Sequence, residues 1–372
     1  MDKRINDLAD IVLNYSVELN DQDKLLVMSE REFSVMAETV AEKARAKGGE
    51  VKFLWLNLEE ERLLIERSID SEIEKEGKYR SDLSDWATSL VKVKATTNPT
   101  YLDGVEEEKV TKFNQIVIKP FQERQVGAGD YPGTKWNLTA FPCEVYAKQA
   151  GITLKQYANL IFLATIKDWD KERETMQKVK NIFDNANRVE LYVEGHTQFS
   201  LSLAGRGGKL SDGKKNLPGG ETFYGPVEDS AEGVINFPYV YEESGKRVKN
   251  IVLKYKNGEV VDARAEENQE FLESVLEMEG MKRIGELGLG TNKDIEHYIC
   301  FPLFDEKIGG TIHIAIGRSY PYALNDGGGL NKAALHWDLI SELRKVDGLP
   351  GGEIYVNDNL VQKNGIWLFE NK

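Results

Sequence analysis

The first half of the chain alternates apolar, strand-like runs with helix-like stretches, and this alternation constrains the fold more than any other feature. A buried strand is predicted at residues 25–29, a helix at residues 32–47 that ends at Gly48, and a second strand at residues 51–56. Strands separated by helices favour βαβ units and a mostly parallel sheet. We therefore expect an α/β N-terminal domain over residues 1–187.

The pattern changes after residue 187, where strand signals follow one another directly. One helix, at residues 266–278, interrupts the series. The strands predicted before and around it are residues 189–194, 199–204, 234–240, 251–255 and 260–265. We expect the second half, residues 188–372, to be a strand-rich α+β domain.

The charge of the chain limits the partners that it can have. Its formal net charge at pH 7 is −14, so nucleic acid and an anionic membrane surface would both repel it. The opening sequence MDKRINDLADIVLNYS lacks the continuous apolar run of a signal peptide or a membrane span. Cys143 and Cys300 lie far apart, which excludes a disulfide framework and a thiolate zinc site. We expect a cytoplasmic protein that binds neither nucleic acid nor membrane.

Several acidic and imidazole side chains in the second half occupy apolar or tightly turned settings. Glu221 follows a glycine-rich turn in NLPGGETFYGP, and Glu286 lies among glycines and leucines in IGELGLGTN. His313 stands between isoleucines in GGTIHIAIGRSYP. His336 and Asp338 are two residues apart in the strand-like LHWDLI, so both point to the same side of that strand.

Carboxylates in such settings need a compensating charge, because burying an unpaired carboxylate is costly. Most of these residues have no lysine or arginine alongside; Arg318, five residues after His313, is the exception. Two divalent cations would balance the three carboxylates and leave room for a hydroxide. Glutamate, aspartate and histidine together suit zinc, cobalt or manganese better than magnesium. The residues therefore predict a metal site in the C-terminal domain.

Each element also has a purely structural interpretation. A histidine in an apolar strand is more often a hydrogen-bonded core residue than a ligand. In a His-x-Asp pair, the aspartate can simply fix the tautomer of the ring. Glu221 and Glu286, taken singly, are more often an exposed loop residue and a charge at the end of a strand. Their occurrence together in one domain favours the metal site, although spacing alone does not show that they converge.

The order of these motifs resembles that of the thermophilic-type metalloaminopeptidases, the group that contains aminopeptidases T and S. NLPGGETFYGPVEDS is similar to the family segment with the first glutamate, and GELGLGTN is similar to its second glutamate motif. FDEKIGGTIHIAIGRSYP is similar to the segment with a metal-binding histidine and, seven residues later, an active-site tyrosine. HWDLI is similar to the closing His-x-Asp. The resemblance runs along nearly the whole chain.

This resemblance implies an α/β N-terminal domain, a dinuclear metal centre and a homodimer whose catalytic sites open into an internal cavity. It also places Tyr320 in the active site. The metal ligands that it implies are Glu221, Glu286, His313, His336 and Asp338. The stretch KDIEHYICFP departs from the family's usual sequence, and His297 within it has no assigned role.

The expected reaction is hydrolysis of the first peptide bond of short peptides with a free α-amino group, by a water that two metal ions activate. We expect Glu286 to bridge the metals. One metal would also take Glu221 and Asp338. The other would take His313 and His336.

Tyr320 would donate a hydrogen bond to the oxyanion, and Glu306 in FDEKIGG is a candidate general base. Without the resemblance, packing beside Pro321 is the simpler role for Tyr320, and a solvated loop charge the simpler role for Glu306. Two other functions stay open. A mononuclear iron ring-cleaving dioxygenase needs only two histidines and one carboxylate, which leaves Glu221 and Glu286 without a role. A non-catalytic peptide-binding relative is the other alternative.

Overall fold

The computed structural model describes residues 2–127, 131–243, 245–346 and 348–371. The chain divides into two compact units, one of residues 1–167 with 213–218 and the other of residues 168–212 with 219–372.

Most of the helices lie in the first half of the chain. In chain order they are α1 (Lys3–Ile11), α2 (Ser34–Ala46), α3 (Leu58–Arg67), α4 (Asp70–Trp86), α5 (Glu107–Phe113), α6 (Lys119–Val126), α7 (Glu144–Gln149), α8 (Leu154–Thr165), α9 (Trp169–Phe183), α10 (Gln269–Leu276) and α11 (Pro302–Asp305). Among the described residues, no helix combines the length and the apolar character that crossing a membrane requires.

Strands dominate the second half. In chain order they are β1 (Lys24–Glu30), β2 (Glu50–Leu56), β3 (Ser89–Lys94), β4 (Lys135–Ala140), β5 (Val189–Val193), β6 (Thr197–Leu201), β7 (Lys209–Ser211), β8 (Asn216–Leu217), β9 (Glu221–Tyr224), β10 (Glu232–Glu243), β11 (Lys246–Lys256), β12 (Glu259–Arg264), β13 (Ile284–Gly290), β14 (Ile312–Gly317), β15 (His336–Ser341), β16 (Lys345–Val346), β17 (Leu349–Pro350), β18 (Gly352–Val356), β19 (Asn359–Lys363) and β20 (Ile366–Trp367).

The first unit is built on a five-stranded parallel sheet in the order β2-β1-β3-β4-β8. Leu25, Leu26 and Val27 of β1 are all buried, as is typical of a parallel strand that is covered on both faces. Helix α2 ends just before Gly48, whose φ of 92° suits glycine far better than any other residue. The α/β class predicted for this half is confirmed.

The second unit contains an eight-stranded and a five-stranded antiparallel sheet. Their orders are β12-β11-β10-β6-β5-β18-β19-β20 and β15-β14-β13-β9-β7. The strand-rich class predicted for this half is confirmed. Helix α9 also belongs to this unit, whereas the boundary predicted at residue 187 puts it in the first domain; the carbonyl of Met176 accepts a hydrogen bond from Thr222 Oγ1 at 3.1 Å.

The hydrophobic core of the second unit covers one face of the five-stranded sheet. Leu287 and Leu289 of β13, Ile312 and Ile314 of β14, and Trp337 of β15 all belong to this core. Because side chains alternate along a strand, the residues between these positions point to the opposite face. That face carries the polar residues predicted from the sequence.

Candidate metal centre

The polar face of the five-stranded sheet gathers the predicted ligands through strand register. Glu286 of β13 pairs with Ala315 of β14, which in turn pairs with Asp338 of β15. The two carboxylates therefore lie in one row across three neighbouring strands. His313 lies two residues before Ala315, and His336 two residues before Asp338, so both rings share the same face.

Glycines in β13 leave space for these side chains. Glu221, the first residue of β9, pairs with Gly290. A Cβ atom on Gly288 would lie 1.8 Å from Cε1 and 2.3 Å from Nε2 of His313, so the imidazole occupies the space of the missing side chain. The sequence GELGLG thus alternates core leucines with site positions that are acidic or lack a side chain.

The structure brings all five predicted ligands into one cluster. His313 Nε2 lies 2.9 Å from Glu286 Oε1 and 3.9 Å from Glu221 Oε2. It is also 3.8 Å from Asp338 Oδ1, and that oxygen is 3.2 Å from His336 Nε2. Three groups have donor atoms within 4.8 Å of one another: Glu221 with Glu286 and His313, Glu286 with His336 and Asp338, and Glu306 with His313 and Asp338. None of these three groups contains both histidines, whereas the sequence prediction puts both of them on one metal.

Backbone carbonyl groups orient both imidazoles. His313 Nδ1 is 3.2 Å from the carbonyl oxygen of Glu306, and His336 Nδ1 is 2.6 Å from that of Arg318. Because a carbonyl only accepts, each Nδ1 donates and each Nε2 is left facing the cluster. Metal-binding histidines are typically held in this way. By contrast, the side chain of His297 is 82% exposed and lies outside the cluster.

Buried carboxylate oxygens without hydrogen bonds indicate whether the cluster suits a metal ion. Glu221 Oε2, Glu286 Oε2 and Asp338 Oδ1 are buried and receive no hydrogen bond from the described residues. An unsatisfied buried carboxylate oxygen is costly, since its hydration is lost without replacement. Three such oxygens beside two oriented Nε2 atoms fit divalent cations that accept mixed oxygen and nitrogen donors.

A lysine that the sequence argument did not anticipate also enters the cluster. Lys307 is fully buried, and its Nζ lies 3.2 Å from Glu221 Oε1 and forms an ion pair with Glu306. The assumption that these carboxylates have no nearby cation is therefore wrong for Glu221. In the sequence, this lysine is marked only by its place beside Glu306 in FDEKIGG, and residue spacing does not predict its burial.

Contacts with β13 hold this lysine in place. The carbonyl of Lys307 accepts a hydrogen bond from the backbone N–H of Asn292 at 3.0 Å, just after β13 ends. A Cβ atom on Gly290 would lie 2.0 Å from the carbonyl oxygen of Ile308, so only glycine lets the two segments approach this closely. Gly290 is therefore the second glycine of β13 that shapes the site, because its missing side chain lets the segment with Lys307 pack against the end of β13.

Glu306 and Tyr320, the two residues predicted to be catalytic, both lie beside the cluster. Glu306 has a donor atom within 4.8 Å of those of His313 and Asp338, and its side chain is only 16% exposed. It is not the solvated loop charge that its sequence position alone suggests. The ring of Tyr320 packs against that of His336, with 5.2 Å between centroids.

The converging charges shift the pKa values of the site. Burial raises the pKa of Glu286. Burial opposes the charge of His313, but the hydrogen bond with Glu286 and the nearby carboxylates raise its pKa to about 10. The pKa of His336 is likewise raised to about 10, with burial opposed by Asp338. The charge of Glu286 and burial raise the pKa of Tyr320, so its hydroxyl keeps its proton and can donate it in a hydrogen bond.

The whole chain matches one protein family. A family model described as thermophilic metalloprotease (M29) covers residues 1–367. The chain belongs to this family. A metalloprotease is a hydrolase that cleaves peptide bonds with a metal ion, in this donor set a divalent one. The enzyme class and the family resemblance predicted from the sequence are both confirmed.

Relatives of this M29 protein are aminopeptidases of low sequence identity. Aminopeptidase AmpS of Bacillus subtilis is 22% identical to it, over 99% of this chain and 99% of the relative. Aminopeptidase T of Thermus thermophilus is 26% identical, over 68% of this chain and 71% of the relative. These two names are those of the group that the sequence motifs resemble.

Two solved structures share the fold. The structure of AmpT from Thermus thermophilus matches with a TM-score of 0.79 at 20% identity, covering 98% of this chain and 99% of that one. A 2,5-dihydroxypyridine dioxygenase from Pseudomonas putida matches with a TM-score of 0.61 at 14% identity, covering 98% of this chain and 96% of that one. At these identities, the likeness describes the fold alone.

Proposed function

We propose that this M29 protein is an aminopeptidase that hydrolyses the N-terminal peptide bond of short peptides, using a water activated by two divalent metal ions. The dinuclear centre is supported by the position of Glu286, which belongs to both of the donor groups that consist only of the five predicted ligands. A carboxylate that faces two ligand groups is suited to bridge two cations. The names of the relatives support the exopeptidase activity.

Each ion would be held by one histidine and by carboxylates. The first would bind Glu221, Glu286 and His313. The second would bind Glu286, His336 and Asp338. This assignment follows the observed grouping of donor atoms and replaces the partition predicted from the sequence. Zinc, cobalt or manganese would suit these donors better than magnesium, which binds imidazole poorly.

Glu306 would act as the general base. When bound, the ions lower the pKa of a coordinated water and polarise the scissile carbonyl. Burial raises the pKa of Glu306, opposed by Lys307, which makes this carboxylate a stronger base than an exposed glutamate. Glu306 would accept the proton of the attacking water and deliver it to the leaving amine.

Tyr320 would stabilise the oxyanion. Its hydroxyl keeps its proton and its ring is packed against His336, so a hydrogen-bond donor is positioned before the substrate arrives. A preorganised donor at the oxyanion costs no reorganisation during the reaction.

The proposal also covers which peptides are cleaved and how the chains assemble. Peptides with a free α-amino group would be accepted, and short ones would be preferred if the sites of a homodimer open into an internal cavity. The homodimer and the cytoplasmic location remain predictions. Light scattering of the purified protein and fractionation of cells test them.

A ring-cleaving dioxygenase is the second candidate, because a dioxygenase shares the fold. Mononuclear iron needs only two histidines and one carboxylate. Here Glu221, Glu286 and Asp338 all leave a buried oxygen without a hydrogen-bond donor, which is more than one iron site of that type uses. The donor set therefore favours the peptidase.

Activity assays test the proposal directly. Chelator-treated protein should fail to cleave aminoacyl chromogenic substrates, and added zinc, cobalt or manganese should restore cleavage. His313→Ala should abolish activity, while His297→Ala, at an exposed histidine, should not. N-terminally acetylated peptides should resist cleavage; rapid turnover of acetylated peptides would refute the exopeptidase assignment, and activity that survives chelation would refute the metal mechanism.

A further inference from the structure

We propose that Lys307 is a positioning residue that acts as a fixed positive charge within the metal centre, holding Glu306 away from the metal ions and leaving Glu221 one oxygen with which to bind them. The inference rests on the proposed metal centre and deepens it. No ligand role is involved, because an ammonium group has no lone pair for a cation.

The position of Lys307 is unusual for a lysine. Its side chain is 0% exposed, and its ion pairs within the described part of the chain are with Glu221 and Glu306. Lysine is almost never fully buried unless it is paired, because the desolvation of the ammonium must be offset by nearby negative charge. Its burial therefore depends on the carboxylates of the site.

Glu221 is divided between the lysine and the metal centre. Its Oε1 lies 3.2 Å from Lys307 Nζ, while its Oε2 receives no hydrogen bond and lies 3.9 Å from His313 Nε2. With one oxygen engaged by the ammonium, Glu221 offers a single oxygen to a metal ion. Lys307 thus sets how this ligand binds.

Glu306 is held in the same way. Its carboxylate pairs with Lys307, and its backbone carbonyl lies 3.2 Å from His313 Nδ1. A carboxylate this close to the donors of His313 and Asp338 would otherwise be drawn to a bound cation as a further ligand. The ion pair keeps it free to accept a proton.

Lys307 is also fixed at its backbone, and the burial of its side chain favours keeping the charge beside Glu221 and Glu306. Its N–H donates to the carbonyl of Phe304 at 2.9 Å, and its carbonyl accepts from the N–H of Asn292 at 3.0 Å. A positive charge at this place repels cations. Removing it should therefore tighten metal binding and, at the same time, leave Glu221 and Glu306 without a partner in the metal-free protein.

The substitution Lys307→Met tests this combination, because methionine is a long side chain without the charge. Zinc titration by calorimetry should give a dissociation constant lower by about tenfold or more. The melting temperature of the metal-free variant should fall clearly below that of the metal-free wild type, and zinc should restore much of the difference. The kcat should fall because Glu306 is no longer held.

Lys180→Met is the matched control. Lys180 pairs with Asp184 at 2.5 Å in the same unit, and neither residue belongs to the groups of candidate metal donors. This control should leave the zinc dissociation constant and kcat unchanged, with the same shift of melting temperature in metal-free and zinc-loaded protein. Lys307→Met behaving like this control would show a merely structural lysine and would overturn the inference.

A double variant, Lys307→Met with Glu306→Gln, keeps the test decisive even if the single variant does not fold without metal. Removing both members of the ion pair should return the zinc affinity and the metal-free melting temperature towards wild-type values. Persistence of the single-variant effects would overturn the inference. If the wild type binds no divalent ion, the proposed function fails and this inference with it; if the wild type binds zinc and Lys307→Met binds it no more tightly, only the role of Lys307 fails.

Discussion

Replacing Gly288 with alanine should displace His313 and damage the proposed metal centre without replacing any of the proposed ligands. The added Cβ would lie 1.8 Å from Cε1, 2.3 Å from Nε2 and 2.5 Å from Nδ1 of the imidazole. Non-bonded carbon atoms are comfortable at about 3.5–4 Å, so the ring must move by roughly 1.5–2 Å. A shift of that size breaks its contacts with Glu286 Oε1 at 2.9 Å and with the carbonyl of Glu306 at 3.2 Å.

The cost can be estimated from these contacts. Overpacking costs about 1–3 kcal/mol, and each lost hydrogen bond about 1 kcal/mol, so the unfolding free energy of the metal-free protein should fall by about 3–5 kcal/mol. Zinc affinity should fall by at least about 100-fold, because one ligand leaves its position and the loss of a supporting contact alone costs 10–100-fold.

Calorimetric zinc titration and peptidase activity measure the effect, and Gly352→Ala is the control. A Cβ on Gly352 would meet Leu343 Cδ2 at 2.7 Å and the carbonyl oxygen of Tyr192 at 2.8 Å, and Gly352 lies in the eight-stranded sheet, whereas the proposed ligands lie on the five-stranded sheet. This control should lose stability but keep its zinc affinity. Wild-type zinc binding in Gly288→Ala would refute the assignment of His313 as a ligand.

Four further outcomes are expected. Glu286→Gln should lower the affinity for both metal ions by at least about 100-fold and abolish activity, since it removes the shared ligand. The circular dichroism spectrum should stay unchanged. Full activity would exclude Glu286 from the site. Tyr320→Phe should lower kcat by about 10²–10³-fold while zinc stoichiometry stays the same, because only a donor to the oxyanion is lost; an unchanged kcat would leave Tyr320 a packing role. Zinc affinity should rise by at least about tenfold per pH unit between pH 6 and 8, with proton release in calorimetry, because His313 and His336 have pKa values raised to about 10 and must lose a proton to bind metal. In the metal-free protein the same rings stabilise the fold below their ordinary pKa of 6.5 and lose that contribution as the pH rises towards 10, so the metal-free melting temperature should fall over this range; zinc affinity independent of pH would contradict these shifts.

The residues on the sheet could be predicted from the sequence because strand periodicity is local. Alternation in LHWDLI places His336 and Asp338 on one face, and the isoleucines around His313 indicate which face of β14 is buried. The same alternation in GELGLG separates Glu286 from the core leucines. Each of these inferences needs only a few consecutive residues.

Features that depend on packing between distant segments could not be predicted. Lys307 enters the cluster because the loop after α11 runs along β13, an approach that Gly290 permits and that no local pattern encodes. The division of the histidines between two donor groups depends on the register of β13 with β14 and of β14 with β15. The sequence pattern places helix α9 with the preceding helices of the first domain, yet its apolar face packs in the core of the second unit.

The dinuclear metal centre is tested most directly by an anomalous difference map at the zinc edge from crystals grown with zinc. We expect two peaks flanking Glu286, one beside Glu221 and His313 and the other beside His336 and Asp338. A single peak, or none on this face of the sheet, would contradict it.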